Sequence, residues 1–204
     1  MRTEPVAGES PIIQFRGELV ALGPIKRELL PEYQRWINDF GTVRTLGFMP
    51  QPTTLEAEQQ WYDQASVGDD KTFTIYELTS ERPIGVVSLR SIDFRNRTAS
   101  YGLMIGDPDA RGRGYGTEAT VLMLDYAFTA LGLHSLYLTC YEFNLAGQRA
   151  YEKAGFKTIG RRRQCRWMGG RLWDELLMDC LATEFESPHL GQVFAPDLPR
   201  TSDR

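Results

Sequence analysis

Residues 108–118 read PDARGRGYGTE, a stretch in which Gly112, Gly114 and Gly116 stand at alternate positions. An extended apolar segment ends just before it, and from Val121 to Leu131 the apolar residues recur at the spacing of one helix face. The order is therefore strand, glycine loop, helix. Glycine permits positive φ angles, and the amide groups at a helix N-terminus favour negative charge. The stretch predicts a site for an anion, most simply a phosphate.

Composition sets broad limits on the rest of the chain. Its 204 residues are 42% hydrophobic and 25% charged, which is typical of one soluble globular domain. The formal charge of −4 argues against a general nucleic-acid binder. No apolar run is long enough to cross a bilayer, and the opening residues have no apolar signal core. We expect a cytoplasmic protein with no membrane partner and no nucleic-acid partner.

Cysteine and histidine residues are few and scattered. Cys140, Cys165 and Cys180 are odd in number and far apart, which favours reduced thiols over disulfides. With His134 and His189 they give no spacing that is typical of a metal site. We therefore expect no structural or catalytic metal.

Hydrophobic patterning divides the chain into elements. Polar, proline-bearing stretches at 1–16 and 187–204 are expected to be a flexible N-terminal segment and a C-terminal tail, with one domain, 17–186, between them. Within that domain the patterns predict a strand, two helices (28–38 and 54–66), three successive strands, the helix after the glycine loop, a strand, a helix and a final strand pair.

Turn and cap residues mark the ends of the last elements. Asn144 fits an N-cap and Gly155 a C′ residue for the helix between them. The sequence MGGR then joins the final two strands, and its glycines, Gly169 and Gly170, supply the positive φ angles of a tight hairpin.

Two familiar phosphate-binding patterns do not match the glycine loop. A dinucleotide fingerprint requires G-x-G-x-x-G in a parallel βαβ unit, whereas here the glycines have a different spacing and follow a meander. A nucleotide-triphosphate loop requires Gly-Lys-Ser/Thr, which is absent. An ordinary strand-to-helix turn remains the alternative.

With Arg111, Gly114 and Gly116, the loop resembles the acetyl-coenzyme A loop of the GNAT acetyltransferase superfamily. Residues 144–156, NLAGQRAYEKAGF, are similar to that family's pattern of asparagine followed by tyrosine-x-lysine-x-glycine-phenylalanine. The closing segment GRRRQCRWMGGRLWDELLMDCLATEF resembles the branch that includes ribosomal-protein N-terminal alanine acetyltransferases. Together the resemblance spans about residues 17–186.

The resemblance implies a fold and a cofactor. The fold would be α+β, a mixed, mostly antiparallel twisted sheet flanked by helices, with a V-shaped splay between its central strands. Acetyl-coenzyme A (coenzyme A as carrier) would be the acyl donor, with its pyrophosphate on the loop amides and its pantetheine arm along the strand before the loop. The cofactor-binding residues would be Met104, Ile105, Arg111, Gly112, Arg113, Gly114, Tyr115, Gly116, Thr117, Asn144, Arg149, Tyr151 and Lys153.

The same resemblance implies catalytic roles. Tyr151 would be the general acid for the leaving thiolate, and a backbone amide near Met104 would stabilise the oxyanion. Many relatives carry a glutamate where this chain has Ser100, so the general base is open, and Glu142 and Asp174 are the substitutes, acting directly or through water. A core aromatic role for Tyr151 and structural or solvated roles for the others are the alternatives.

The acceptor side would be formed by the helices between the first two strands. Residues 28–70 include eight acidic residues and only two basic ones, and this imbalance favours a cationic amine. A protein N-terminus, a polyamine, an amino acid and an aminoglycoside all fit that description. Trp36, Phe48 and Trp61 are expected either to line the substrate pocket or to pack the helices.

The resulting hypothesis is an acetyl-coenzyme A-dependent N-acetyltransferase. It would act by direct attack in a ternary complex on a small-molecule amine or a peptide N-terminus, and a homodimer stays open. A noncatalytic acyl-coenzyme A sensor is the alternative, because the family glutamate is missing. A nucleic-acid-binding module is third, motivated by arginines whose default interpretation is a solvated strand face: Arg161, Arg162, Arg163, Arg166 and Arg171.

Overall fold

A computed structural model describes residues 10–47 and 50–197 of the chain. Within these ranges eight strands and five α-helices follow one another, and a turn of π-helix at Tyr126–Ala130 extends the fourth helix. The elements are β1 (Phe15–Arg16), β2 (Val20–Pro24), α1 (Leu30–Ile37), α2 (Phe40–Val43), α3 (Leu55–Val67), β3 (Lys71–Glu77), β4 (Pro83–Asp93), β5 (Thr98–Ile105), α4 (Tyr115–Asp125), β6 (Ser135–Tyr141), α5 (Leu145–Ala154), β7 (Lys157–Met168) and β8 (Arg171–Leu181).

The described strands form one sheet in the order β1–β2–β3–β4–β5–β6–β8–β7. Neighbours are antiparallel except β5 and β6, which are parallel. Short turns join β3, β4 and β5 as a meander, whereas the parallel step from β5 to β6 requires a crossover, which α4 provides. The predicted α+β fold with a mixed, mostly antiparallel sheet flanked by helices is confirmed.

The two central strands diverge soon after they meet. Pairing between β5 and β6 covers only three residue pairs and stops at Ser100 and Tyr137. Beyond that point β5 continues to Ile105 against β4, and β6 continues to Tyr141 against β8. The sheet therefore opens into a V, as the resemblance implied.

Helices cover both faces of the sheet. Successive residues of β4 point to opposite sides, so Val87 packs in the larger core with α4 and Val86 packs in a smaller cluster with α1. On α4 the consecutive residues Leu122, Met123 and Leu124 are fully buried. Burial of each such side chain contributes about 1.5–3 kcal/mol. The crossover helix is therefore a fixed support for the loop that precedes it.

The predicted cap and turn residues are found where expected. Asn144 Oδ1 accepts a hydrogen bond from the Gly147 amide at 3.1 Å and begins α5. Gly155 ends α5 with a φ of 113°. In the closing hairpin Gly169 and Gly170 have φ angles of 60° and 82°.

The structure differs from the sequence expectation in three short segments. A four-residue helix, α2, lies within the stretch 39–53 that reads as loop, and it begins where Asp39 accepts hydrogen bonds from the following amides. The two-residue strand Phe15–Arg16 pairs with β2 although it falls in the segment expected to be flexible. Gly116 belongs to the first turn of α4 rather than to the loop. Elements this short carry no detectable hydrophobic period.

Part of the expected C-terminal tail folds back onto α4. The Asp125 carboxylate is fully buried and accepts hydrogen bonds from Ser187 Oγ at 2.5 Å and from the amides of His189 and Leu190, both at 2.9 Å. Thr129 Oγ1 donates to it at 2.8 Å. Residues 187–190 are therefore attached to the core.

Candidate active site

The V between β5 and β6 opens into a cleft of about 510 Å³. Its walls are the end of β5, the glycine loop with the first turn of α4, helix α5, and the residues of α2 and just after it. Most of the predicted cofactor residues line this cleft: Met104, Ile105, Arg111, Gly112, Gly114, Gly116, Thr117, Asn144, Arg149, Tyr151 and Lys153. The structure thus brings together residues from four separate elements.

The glycine loop presents free amide groups to the cleft. Gly112 and Gly114 have φ angles of 73° and 87°, which side-chain-bearing residues rarely adopt. Among the described residues, no backbone oxygen accepts a hydrogen bond from the amides of residues 112–114. The first turn of α4 likewise leaves its amides without acceptors inside the helix. With the positive end of the helix dipole, these donors fit a phosphate-sized anion.

Arg113 and Tyr115, whose backbone amides belong to the predicted pyrophosphate loop, point their side chains toward β3 instead of the cleft. The Tyr115 hydroxyl donates to Glu77 Oε1 at 2.5 Å, and Arg113 Nη1 lies 3.1 Å from the same oxygen. Hydrogen bonds from Tyr115 and Ser80 lower the pKa of the Glu77 carboxyl, and the charges of Arg113 and Arg82 lower it further. The buried carboxylate therefore ties the glycine loop to the sheet.

Arg111 connects the glycine loop to α2. Its Nη2 donates to Thr42 Oγ1 at 2.6 Å and lies 3.6 Å from Asp39 Oδ2. Its Nε donates to the Ile105 carbonyl at 3.3 Å. One guanidinium thus holds the end of β5, the loop and α2 together, and it fixes the wall that α2 contributes to the cleft.

The cleft side of β5 is a free strand edge. From Tyr101 to Ile105 the only described strand beside it is β4. Backbone groups on such an edge can pair with the amides of an extended arm, as an added strand pairs with a sheet. Met104 and Ile105, the residues predicted to contact the pantetheine arm, lie on this edge.

Tyr151 reaches the cleft from α5 and is largely buried. Its ring packs perpendicular to Tyr101, with centroids 6.1 Å apart, and against Phe156. Burial, followed by the neighbouring Cys140, raises the pKa of its phenol. The hydroxyl therefore stays protonated as a potential donor that lines the cleft.

The candidate bases lie outside the cleft lining. Arg161 Nη1 lies 2.9 Å from Glu142 Oε1 and 2.9 Å from Asp174 Oδ2. A hydrogen bond from the Gln164 amide, followed by that from Arg161, lowers the pKa of Asp174. Ser100 sits where β5 and β6 still pair. Because Arg161 stabilises the charged form of the Asp174 carboxylate, it weakens that group as a proton acceptor.

The aromatic residues predicted for the substrate pocket pack α1 and α3. Trp36 is buried beneath Gly106, where any side chain would collide with the indole. Trp61 meets the Tyr33 ring edge-on at 5.5 Å between centroids. Phe48 lies outside the described residues. Trp36 also borders a neighbouring small pocket of about 210 Å³, whereas neither described tryptophan lines the larger cleft.

The charged residues of the cleft include one that the sequence analysis did not assign. Within the described part of the chain, the charged side chains that line the cleft are Arg44, Arg111, Arg149 and Lys153, and none of the acidic residues between 28 and 70 does so. Arg44 was missed because the loop pattern around it gives no orientation. The signal that could have found it is the Asp39 cap, since a helix start there fixes the direction of the following residues.

Glu118 also carries a role that the sequence did not reveal. Its carboxylate accepts hydrogen bonds from the amides of Glu18, Leu19 and Val20 at 2.8, 2.7 and 2.6 Å. This contact joins the first turn of α4 to the start of β2, so it supports the glycine loop from behind.

Two further features concern metals and membranes. Across residues 10–47 and 50–197, no group of three or more His, Cys, Asp or Glu side chains is placed to hold a metal ion. No helix in these ranges has the length and hydrophobicity that crossing a membrane requires.

Comparison with known proteins agrees with this geometry. The acetyltransferase (GNAT) domain family matches residues 20–157. The chain is 26% identical over 170 residues to spermidine N(1)-acetyltransferase of Escherichia coli K12, covering 83% of this chain and 90% of that protein. It is 30% identical over 159 residues to human alpha/beta-tubulin-N-acetyltransferase 9, covering 70% and 74%.

Among solved structures, the fold matches Vibrio cholerae spermidine N-acetyltransferase in complex with CoA and spermine. The TM-score is 0.75 at 23% identity, with 81% of this chain and 97% of that chain covered. At this identity the match bears on the fold, which places the same type of sheet and crossover helix around the cleft.

Proposed function

The chain belongs to the acetyltransferase (GNAT) domain family, and we propose on that premise a division of labour within its cleft. It is an acetyl-coenzyme A-dependent N-acetyltransferase, which moves an acetyl group to an amine. In the proposed mechanism the amine attacks the acetyl group directly in a ternary complex, and residues of the cleft bind the donor and supply the proton. The observation that carries the proposal is the set of free amides at residues 112–117, beside the opening between β5 and β6.

The glycine loop binds the pyrophosphate. Its amides and the dipole of α4 supply fixed positive potential, so little ordering is required when the anion arrives. Arg149 and Lys153 lie one turn apart on α5 at the same cleft and would bind an outer phosphate. The free edge of β5 pairs with the pantetheine amides, and a backbone amide near Met104 faces the developing oxyanion.

Tyr151 supplies the proton for the leaving group. When bound, acetyl-coenzyme A contributes the activated thioester. The acceptor nitrogen forms a bond to the acetyl carbon, the carbon–sulfur bond breaks, and the departing thiolate takes the phenolic proton of Tyr151. The nitrogen releases its surplus proton to the base or to water, and solvent reprotonates the phenoxide, so each turnover ends with a neutral phenol.

The general base stays a prediction. Glu142 and Asp174 remain its candidates, but each must be released by Arg161 before it can accept a proton from a substrate amine. Ser100 is a poor proton acceptor, so water at the open side of the cleft is the simplest relay to either carboxylate.

The relatives support a small amine as the acceptor, without naming which amine. Relatives named for spermidine and for tubulin suggest a polyamine or a protein N-terminus as candidates. Placement in the branch of the ribosomal-protein N-terminal alanine acetyltransferases stays a prediction, as do the homodimer and the cytoplasmic location.

A thiol-release assay with acetyl-coenzyme A tests the proposed function. Spermidine, amino acids and short peptides serve as acceptors, and the transferred acetyl group is identified by mass. We expect coenzyme A release that depends on an amine and yields one equivalent of N-acetylated product. Tight binding of acetyl-coenzyme A in calorimetry without amine-dependent release would contradict the proposal and favour a sensor.

A further inference from the structure

A cluster of arginines and aromatic rings lies at the β6 side of the cleft. We call it the arginine–aromatic cluster, and it comprises Arg44, Tyr141, Phe143, Arg166 and Trp173. The Arg44 guanidinium lies 5.8 Å from the Phe143 ring centroid, and that of Arg166 lies 4.8 Å from the Tyr141 centroid. Phe143 stacks on Tyr141 at 5.3 Å and meets Trp173 edge-on at 5.5 Å.

The arginine–aromatic cluster borders the cleft. Phe143 directly precedes Asn144, which lines the cleft, and Arg44 lines the cleft itself. Arg166 Nη2 donates to the Leu46 carbonyl at 3.5 Å. The wall from Thr42 to Leu46 therefore runs from Arg111 at the anion loop to the closing hairpin, with Arg44 between them.

Carboxylates near the cluster are already paired with other arginines. Glu142 and Asp174 share Arg161, and Glu175 Oε2 lies 2.8 Å from Arg162 Nη2. Among the described residues, Arg44 forms no ion pair. Its exposed guanidinium is therefore available to an anionic ligand.

None of the described residues that line the cleft is acidic, so a polycation would meet no carboxylate among them. Two acidic residues, Asp39 and Asp107, line the neighbouring small pocket. Asp39 accepts hydrogen bonds from Thr42 and faces Arg111, and Asp107 is paired with Arg82. Spermidine-like chains carry several positive charges, which need carboxylates of their own.

We propose that the acceptor is an amine that also carries a carboxylate, as an amino acid does, and that Arg44 binds this carboxylate. The inference rests on the proposed function and names its substrate class. A guanidinium offers parallel N–H donors that match a carboxylate, and the Arg44 guanidinium, 5.8 Å from the Phe143 ring centroid, has no carboxylate partner among the described residues. With the carboxylate on Arg44, the amine is directed to the side of the cleft that Met104 and Tyr151 line.

The experiment compares amino acids with their amides. Acceptor kcat/KM is measured by thiol release for each amino acid, its carboxamide and spermidine, with the wild type, Arg44→Gln and Arg44→Lys. Arg95→Gln is the matched control, because it removes one exposed arginine on the β4–β5 turn, at the start of β5 rather than at the cleft end. An amino acid and its carboxamide also differ in amine basicity. The deciding quantity is therefore how much the ratio of their kcat/KM values changes when Arg44 is replaced.

We expect the wild type to prefer the acid by about tenfold and Arg44→Gln to remove that preference through the acceptor KM. Arg44→Lys should restore part of it, and Arg95→Gln should leave it intact. An unchanged ratio in Arg44→Gln, a wild-type preference for spermidine or for the amide, or an equal rise in the KM for acetyl-coenzyme A would overturn the inference alone. Absence of transfer to any amine would overturn the proposed function as well.

Discussion

At the scale of single residues, Tyr151 is the side chain whose chemistry is most directly testable. Tyr151→Phe removes one hydroxyl and keeps the ring between Tyr101 and Phe156. Because the lost interaction belongs to the transition state, we expect turnover to fall by at least about tenfold with little change in the KM for acetyl-coenzyme A. Steady-state kinetics and a melting curve on the folded variant measure both effects.

Tyr101→Phe is the matched control for this substitution. Tyr101 shares a hydrogen bond of 2.8 Å with Thr120 in the core and does not line the cleft. Its variant should therefore melt earlier and keep its turnover. If Tyr151→Phe keeps wild-type turnover, the proton for the leaving thiolate must come from water or from another donor.

Sequence reasoning at this scale found residue types but not their directions. The backbone role of Gly112 and Gly114 follows from local chemistry, since positive φ belongs to glycine. The direction of Tyr115 depends on Glu77, which lies 38 positions earlier in the chain. A contact between two distant segments has no local signature, so the sequence did not predict this contact.

At the scale of elements, the glycine loop and α4 act as one anion-binding unit. Gly114→Val forces a branched side chain onto a φ of 87° and should lower coenzyme A affinity by at least about tenfold. Isothermal calorimetry measures the change. Gly132→Val is the control, because Gly132 has a φ of 66°, has open space around it and does not line the cleft. Equal affinities for both variants would remove the phosphate site from the loop.

Helix α5 allows a second test at the same scale. Arg149→Ala or Lys153→Ala removes a cation from the cleft, and we expect coenzyme A binding to weaken by about fivefold. Dephospho-coenzyme A, which lacks the outer phosphate, should be bound almost equally by variant and wild type. Measured dissociation constants for both ligands decide the point. If the two ligands lose affinity in parallel, these residues do not contact that phosphate.

Elements that depend on neighbours in sequence were predicted well, and features that depend on distant pairing were not. The closing hairpin was predicted because Gly169 and Gly170 encode its turn locally. The splay was implied only by resemblance, because the point where β5 and β6 separate depends on the register of the whole sheet. The orientation of α2 depends on its contacts with distant segments, so Arg44 could not be placed in the cleft from the sequence, and the acceptor side inferred from the acidic count between 28 and 70 stays a prediction.

At the scale of the whole molecule, Asp125 links the C-terminal residues 187–190 to the crossover helix. Burial raises the pKa of its carboxyl, but hydrogen bonds from Ser187, Leu190, Thr129 and His189 together outweigh burial and hold the pKa below its usual value. The resulting stabilisation is complete above the unfolded pKa of about 3.9 and is lost as the pH falls through the folded value. Acid should therefore release these residues.

Asp125→Asn places an amide NH₂ where the surrounding groups all donate, so at least one buried donor loses its acceptor. We expect a loss of about 1.5–3 kcal/mol in the free energy of unfolding at neutral pH, or roughly 5–10 °C in Tm. The difference from the wild type should shrink as the pH falls below about 4, because the unfolded chain then binds a proton that the folded carboxylate takes up only at lower pH. Exposed Asp69→Asn is the control and should change Tm little at any pH. A deficit in Asp125→Asn that persists undiminished at acid pH would show that the site depends on shape rather than on the charge of the carboxylate.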